Sequence, residues 1–137
     1  MDPIYAAGFF DGEGCISVSR LSAGRDRPAY LLDGAIGNTY LPILQEFQAQ
    51  WGGSIAPQKK YKAQHKDRWI WHLHGDNLVR FLQDLFPHLH EKTLQVEMAL
   101  QFVAEKTARN VRSRGRLSAE DLALREGFYL ALREAKR

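Results

Sequence analysis

Apolar residues recur along this chain with two spacings, one typical of helices and one typical of strands. Residues 41–51 carry apolar side chains three or four positions apart and are followed by two glycines, which predicts an amphipathic helix. Residues 68–74 alternate instead, with Trp69, Trp71 and Leu73 on one face of a predicted strand. Because tryptophan suits a buried surface, this face is expected to point into a core.

The same two spacings assign the rest of the chain. Turn-rich segments at 22–28 and 63–67 are predicted to join strands into hairpins. The predicted elements are a helix over 3–12, strands over 16–19 and 30–37, a helix over 41–51, strands over 54–62 and 68–74, and helices over 78–85, 89–105 and 118–135. The order is α-β-β-α-β-β-α-α with a further C-terminal helix, which predicts an α+β fold.

The end of the first helix breaks local rules. Asp11 and Glu13 alternate with glycines at its C-terminal end, where the helix carries partial negative charge and carboxylates are repelled. A divalent cation held by the acids would resolve this conflict. Gly8, inside the helix, costs about 1 kcal/mol relative to alanine. Gly8 and Gly12 are four residues apart, a spacing that lets another helix approach closely.

Residues 6–14, Ala-Ala-Gly-Phe-Phe-Asp-Gly-Glu-Gly, resemble the signature of the LAGLIDADG homing endonucleases without a gap. The departures are alanine for the first leucine, glycine for the third alanine and glutamate for the second aspartate. Together with the order of the elements, the resemblance covers about residues 3–105. It implies a LAGLIDADG homing endonuclease-like αββαββα fold with a four-stranded antiparallel DNA-binding sheet and an extra C-terminal helix. The alternative for the segment alone is an ordinary helix-to-strand turn.

The resemblance also implies an organisation. Residues 1–106 would form the endonuclease core, and 107–137 a basic connector and C-terminal helix packed on or beside that core. The chain has one signature segment in 137 residues, so the resemblance implies a homodimer with two signature helices packed around a twofold axis. The predicted dimer interface consists of Tyr5, Ala7, Gly8, Asp11 and Gly12.

Candidate catalytic residues follow from the same resemblance. Glu13 occupies the position of the essential metal-binding acid, the Gly12 carbonyl would be a second ligand, and Asp11 is a weaker candidate ligand that supports the helix interface. The implied cofactor is Mg²⁺; Mn²⁺ could substitute, and Ca²⁺ is expected to bind without supporting cleavage. Lys92 falls at the catalytic lysine position, although a surface lysine is the alternative. Asn38 falls where the family places a polar residue that orders active-site water.

The net charge of +3 is modest, but basic residues cluster in the two predicted hairpins, which makes a phosphate-binding surface plausible. A two-stranded ribbon fits the major groove of DNA. The predicted DNA-binding residues, taken from strand alternation and from the hairpins, are Ser17, Ser19, Arg20, Arg25, Arg27, Leu31, Asp33, Ala35, Gln58, Lys60, Lys62, Lys66, Arg68, Ile70 and His72. An ordinary solvated sheet face is the alternative for this set.

A composition of 45% hydrophobic and 26% charged residues is typical of a soluble globular protein. With no membrane-length apolar run, no secretory signal pattern and one cysteine, we expect an intracellular protein of a prokaryote or organelle, neither secreted nor membrane-bound.

The function implied by the resemblance is that of a site-specific homing endonuclease, intron-encoded or free-standing. It would make a double-strand break in a long, partly palindromic double-stranded DNA target. One alternative is a maturase that assists splicing of its host intron RNA. Another is a catalytically inactive DNA-binding module of the same fold, against which the retention of both acids and of Lys92 argues.

Overall fold

The computed structural model describes residues 1–22, 28–60, 62–112 and 118–136, and in them a four-stranded antiparallel sheet packs against helices. The elements are α1 (Pro3–Glu13), β1 (Gly14–Leu21), β2 (Ala29–Asn38), α2 (Leu41–Trp51), β3 (Ser54–Gln58), β4 (Arg68–Leu73), α3 (Gly75–Leu85), a 3-10 turn (Phe86–His88), α4 (Thr93–Arg112) and α5 (Ala119–Ala135). The predicted α+β order is confirmed. No helix in these ranges is long and apolar enough to cross a membrane.

The sheet has the strand order β1-β2-β4-β3, so two hairpins meet along the central β2–β4 pair. Its register aligns Ser17 with Asp33, Ala35 with His72, and Gln58 with Arg68. Side chains of residues paired across strands point to the same face of a sheet. Most of the residues that alternate with them in β1, β2 and β4 are buried under the helices, which gives the sheet one core face and one open face.

An aromatic cluster forms the centre of the core between α2, α3 and β4. The ring of Phe47 lies 5.2 Å from that of Trp71, 5.9 Å from that of Trp51 and 6.2 Å from that of Phe81, centroid to centroid. The ring centroid of Phe9, in α1, lies 5.4 Å from that of Phe47. The cluster thereby fixes α1 against the sheet, which positions the acidic end of this helix.

α1 begins at a side-chain cap, Asp2, and ends where Gly14 packs against the ring of Phe10. The Asp2 side chain accepts a hydrogen bond from the amide of Ile4, and Pro3 occupies the first helical position. At the other end, a Cβ on Gly14 would lie 2.1 Å from Cδ1 of Phe10. Only glycine therefore lets the chain turn from α1 into β1 over this buried ring.

The largest corrections concern the predicted boundaries of β3 and α4. β3 ends at Gln58 and not at Lys62, so Lys60 and Lys62 lie in the loop before β4, where Lys60 pairs with Asp67 at 2.7 Å. α4 begins at Thr93 and not at residue 89, because the preceding amides bind another side chain, as described below. It continues to Arg112, since residues 107–112 contain neither glycine nor proline.

α5 packs on α4 and on β1 of the same chain. The rings of Phe102 and Phe128 meet edge to face at 5.7 Å, and Leu132 is buried. The helix starts with a capping box, in which the Ser118 hydroxyl accepts from the Asp121 amide and the Asp121 carboxylate accepts from the Ser118 amide. The C-terminal helix thus contributes to the core, whereas the proposed division at residue 107 stays a prediction.

We expect Phe47→Ala to lower the free energy of unfolding by about 3–5 kcal/mol, because it opens a cavity at the centre of the aromatic cluster. Urea denaturation followed by tryptophan fluorescence measures the change. Leu94→Ala is the matched control, since Leu94 is 55% exposed on α4; its effect should stay within about 0.5 kcal/mol. Equal effects of the two substitutions would contradict this description of the core.

Candidate active site and nucleic-acid interface

The carboxylate of Asp11, near the end of α1, holds the segment that leads into α4. One oxygen, Oδ2, accepts a hydrogen bond from the amide of His90 at 2.8 Å, and Oδ1 accepts from the amide of Lys92 at 2.9 Å. Asp11 is almost fully buried. Since both oxygens are taken by main-chain donors, the geometry gives Asp11 an anchoring role and makes it a poor candidate for a metal ligand.

The environment of Asp11 keeps its carboxylate charged. Burial by itself would raise the pKa of this side chain. The hydrogen bonds from the amides of His90, Lys92 and Glu91, together with the positive charge of Lys92, outweigh burial and hold the pKa below its usual value. The contact is therefore an ionic hydrogen-bonded anchor throughout the neutral pH range.

The side chain of Lys92 also binds the C-terminal end of α1. Its ammonium group donates to the main-chain carbonyl of Asp11 at 2.6 Å, where the last carbonyls of a helix attract cations. The amide and the ammonium of one residue thus both bind Asp11. The structure places the predicted catalytic lysine beside the predicted metal-binding segment, 81 residues earlier in the chain.

Glu13 and Gly12 are both exposed at the tip of α1. Neither Oε atom of Glu13 is bound by a side chain within the described ranges. Among the same residues, no group of three or more His, Cys, Asp or Glu side chains converges in a way that could hold a metal. Within the described residues, the tip of α1 therefore presents one carboxylate without a side-chain partner, that of Glu13.

One face of α1 is open. Tyr5 is 54% exposed, Gly8 and Gly12 are exposed, and a Cβ at either glycine would meet nothing within 4 Å in the described chain. No packing within the chain requires glycine at these two positions. Ala7 is fully buried in the core, which corrects its predicted place in a dimer interface, and Asp11 likewise faces inward.

Asn38 lies at the end of β2, on the side of the sheet where α1 ends, because β1 and β2 pair from Gly14 and Ile36 onward. Its side-chain oxygen accepts a hydrogen bond from the amide of Tyr40 at 2.8 Å. This is an Asx turn that leads the chain into α2. The predicted role of Asn38 in ordering water stays a prediction.

The open face of the sheet carries most of the predicted DNA-binding residues. Exposed or half-buried side chains on this face are Ser17, Ser19, Leu31, Asp33, Ala35, Gln58, Arg68, Ile70 and His72. Lys60, Lys62 and Lys66 are exposed in the adjoining loop. Contact with DNA itself stays a prediction for all of them.

Arg20 does not share the open face, which corrects its predicted place among the DNA-binding residues. It follows the buried Ile16 and Val18 in alternation, so its side chain points to the helices, where it pairs with Glu126 of α5 and lies 5.0 Å over the ring of Tyr129. The hydroxyl of Tyr30 also donates to Glu126, and burial followed by this hydrogen bond raises the pKa of Tyr30. Arg20 therefore fastens α5 to β1. The predicted contacts Arg25 and Arg27 lie outside the described residues.

A basic cavity of about 300 Å³ adjoins the open face at the β3–β4 loop. It is lined by Thr39, Gln58, Lys59, Lys60, His65, Lys66 and Arg68. Arg68 lies across Gly37, where a Cβ would stand 2.6 Å from Nη2 of the guanidinium. Sequence reasoning missed this positioning role of Gly37, although a glycine inside a strand signals a close approach of another group.

Several solved structures that this chain resembles are homing endonucleases. The archaeal intron-encoded homing endonuclease I-Vdi141I, complexed with DNA, superposes with a TM-score of 0.79 at 18% identity over 98% of this chain and 84% of that one. I-CvuI in complex with its target in the presence of Ca has a TM-score of 0.63 and 20% identity, over 98% of this chain and 94% of that one. The LAGLIDADG homing endonuclease I-GzeII with its DNA target has a TM-score of 0.72 and 15% identity, over 97% of this chain and 44% of that one.

No protein-family model and no curated protein matches the sequence. At these identities the structural likeness establishes the fold, and the chain has the fold of the LAGLIDADG homing endonucleases. The resemblance recognised in residues 6–14 is confirmed at this level.

We expect Asp11→Asn to lower the free energy of unfolding at pH 7 by about 1.5–3 kcal/mol, the range for hydrogen bonds to a charged group. Because the folded-state pKa of Asp11 is depressed, the charged anchor contributes fully above the unfolded-state pKa of about 3.9 and is lost as pH falls through the folded-state pKa. The difference in unfolding free energy between the wild type and the Asp11→Asn protein should therefore disappear in acid.

Guanidinium denaturation at pH 7, 5 and 3 measures this difference. Asp2→Asn is the control, since Asp2 is an exposed carboxylate that accepts a single amide, from Ile4, and asparagine caps helices equally well. A deficit of the Asp11→Asn protein that persists unchanged to pH 3 would show that the charge of Asp11 is not what stabilises the anchor.

Proposed function

We propose that this chain is a metal-dependent, site-specific DNA endonuclease that acts as a homodimer and makes a double-strand break in a long, partly palindromic target. One observation carries the proposal: an exposed Glu13 at the tip of α1, with Lys92 bound at the same helix end. The fold that presents this pair is the one in which the neighbours I-Vdi141I and I-CvuI were solved with DNA.

The donors at the tip of α1 fit a hard divalent cation such as Mg²⁺. This cation prefers oxygen ligands, one or two carboxylates, water and substrate phosphate oxygens. Glu13 is exposed and would supply a carboxylate, and the neighbouring exposed Gly12 would supply its main-chain carbonyl. When bound, the cation would activate water and stabilise the leaving oxygen of a phosphodiester. The presence of Ca in the I-CvuI complex accords with a divalent cation.

Lys92 supplies positive charge near the scissile phosphate in this proposal. Its ammonium is held by the Asp11 carbonyl and its amide by the Asp11 carboxylate. This double attachment fixes the lysine before DNA arrives, so that charge developing in the transition state meets a preorganised cation. Asp11 acts as a positioning residue for Lys92.

Two observations support the homodimer. Gly8 and Gly12 expose the main chain of α1 without any steric need inside the chain, which suits close packing against a second α1. This chain also covers 44% of I-GzeII, close to one half of that protein. Two copies would bring two Glu13 carboxylates and two Gly12 carbonyls together at one axis, which supplies the ligands that a single chain lacks.

We expect Glu13→Gln to lower the cleavage rate by at least about 10²–10³-fold, while sequence-specific binding remains. A randomised duplex library incubated with Mg²⁺ and selected for cut ends measures this. The wild-type protein should return a recurrent, roughly twofold-symmetric sequence. Glu46→Gln is the matched control, because Glu46 is an exposed glutamate on α2, and it should cleave like the wild type.

Undiminished cleavage by Glu13→Gln would refute this assignment of the metal site. If no protein cuts but all enrich the same sequence by binding, the chain is a DNA-binding module and the catalytic proposal fails.

We expect Gly8→Leu to convert the dimer into a folded monomer. Inside the chain a side chain at residue 8 has open space, and removing a helical glycine should raise intrinsic helix stability by up to about 1 kcal/mol. Between two α1 helices the same side chain would prevent close approach. Sedimentation velocity measures the mass, and circular dichroism checks the fold.

Gly127→Leu in α5 is the control, since Gly127 is also helical and a Cβ there meets nothing within 4 Å. A Gly8→Leu protein that sediments like both the wild type and the control would rule out α1 as the dimer contact.

A further inference from the structure

A carboxylate and two imidazoles form a unit on the open face of the sheet. Nδ1 of His72 lies 3.3 Å from Oδ2 of Asp33, and Nδ1 of His74 lies 3.9 Å from Oδ1. The first distance is a hydrogen bond and the second is a looser ionic approach. His72 is 39% exposed and Asp33 31% exposed at the side chain, so the pair is accessible to a ligand of this face.

The contact with Asp33 fixes the tautomer of His72. An ionised carboxylate can only accept hydrogen bonds, so Nδ1 of His72 must carry the proton. In the neutral ring Nε2 is then a pure acceptor. In the protonated ring both nitrogens are donors, and Nε2 changes from acceptor to donor.

Base edges in the major groove distinguish the two states. Cytosine presents only an amino donor there, guanine the acceptors N7 and O6, thymine the acceptor O4, and adenine one donor and one acceptor. The geometry points to His72, held by Asp33, as a pH-dependent base-reading residue: when neutral it accepts from an amino-bearing base such as cytosine, and when protonated it donates to guanine or thymine and no longer fits cytosine. This inference rests on the proposed function, because it takes the open face as the surface that contacts DNA.

The groups around the pair within the described residues come from four elements. Ser17 on β1 faces Asp33, and Ser54 on β3 faces His72; neither side chain titrates in this range. Exposed Cys15 pairs with Ala35, the β2 residue opposite His72, and the ammonium of Lys136, at the end of α5, donates to the Cys15 sulfur at 3.3 Å. Asp76 of α3 and Lys106 of α4 line a cavity of about 550 Å³ that also borders Asp33 and His74. His72 and His74 are the imidazoles in contact with Asp33 among the described residues.

The test is a binding selection on a randomised duplex library without divalent cations, carried out at pH 5.5 and at pH 8. Relative base preference at each position is measured, because overall affinity rises in acid for any basic protein. At one position of each half-site, we expect the preference for guanine or thymine over cytosine to increase about tenfold from pH 8 to pH 5.5. His72→Gln should abolish that change, since a glutamine amide both donates and accepts at every pH.

His74→Gln is the matched control, because it removes an imidazole near Asp33 but leaves the His72–Asp33 hydrogen bond; it should keep the pH-dependent preference. A second readout needs no DNA: ¹⁵N NMR of the histidine side chains should show His72 as the Nδ1–H tautomer at pH 8 in the wild type. Asp33→Asn should shift this population toward Nε2–H.

The outcomes separate the two proposals. If no sequence is enriched at either pH, the proposed function fails. If a sequence is enriched with the same base preferences at both pH values, or if His72→Gln leaves the change intact, the proposed function stands and this inference is overturned. An Nε2–H tautomer of His72 in the wild type would also overturn it.

Discussion

The hydrogen bonds between Asp11 and the amides of His90 and Lys92 are the contact on which the arrangement of this site depends. They join the end of the first helix to the start of the fourth, two segments that are far apart in the chain. The conflict of an acid at a helix C-terminus is resolved here by main-chain donors and by the Lys92 ammonium. Lys92 supplies both an amide and its ammonium group to this contact. Folding of the core therefore also positions the Lys92 ammonium.

The anchor divides α1 into two faces with different tasks. One face, with Phe10 and Ala7, is buried and holds the helix on the core. The other, with Gly8 and Gly12, is open, and the described residues give no structural reason for glycine there. Asp11 belongs to the first face and Glu13 to the exposed tip, so two neighbouring acids of one segment have different surroundings: the first anchors the fold, and the proposed function gives the second the metal.

The order of elements could be predicted because periodicity reports which side of a segment is buried, and the core face of β4 followed directly from Trp69 and Trp71. The site was less accessible to such reasoning. Arg20 was predicted to contact DNA because it lies in a basic hairpin, whereas in the structure its side chain points to the helices; its partner Glu126 lies 106 residues away and leaves no local signal. The start of α4 was misplaced for a similar reason, since amides that the pattern assigned to the helix are bound by Asp11. Long-range pairs of this kind depend on the fold and not on the neighbouring sequence.

The two faces of the sheet also bear on how such a protein can evolve. Ile70 lies on the open face between Trp69 and Trp71 of the core face, and β1 and β2 alternate in the same way. A substitution on the open face removes no atom from the core and opens no cavity, and sites without shared contacts change stability nearly independently. Under the proposed function, the open face could therefore accumulate changes while the scaffold keeps its stability, which would let a lineage of such chains drift from one DNA target to another without passing through unfolded intermediates.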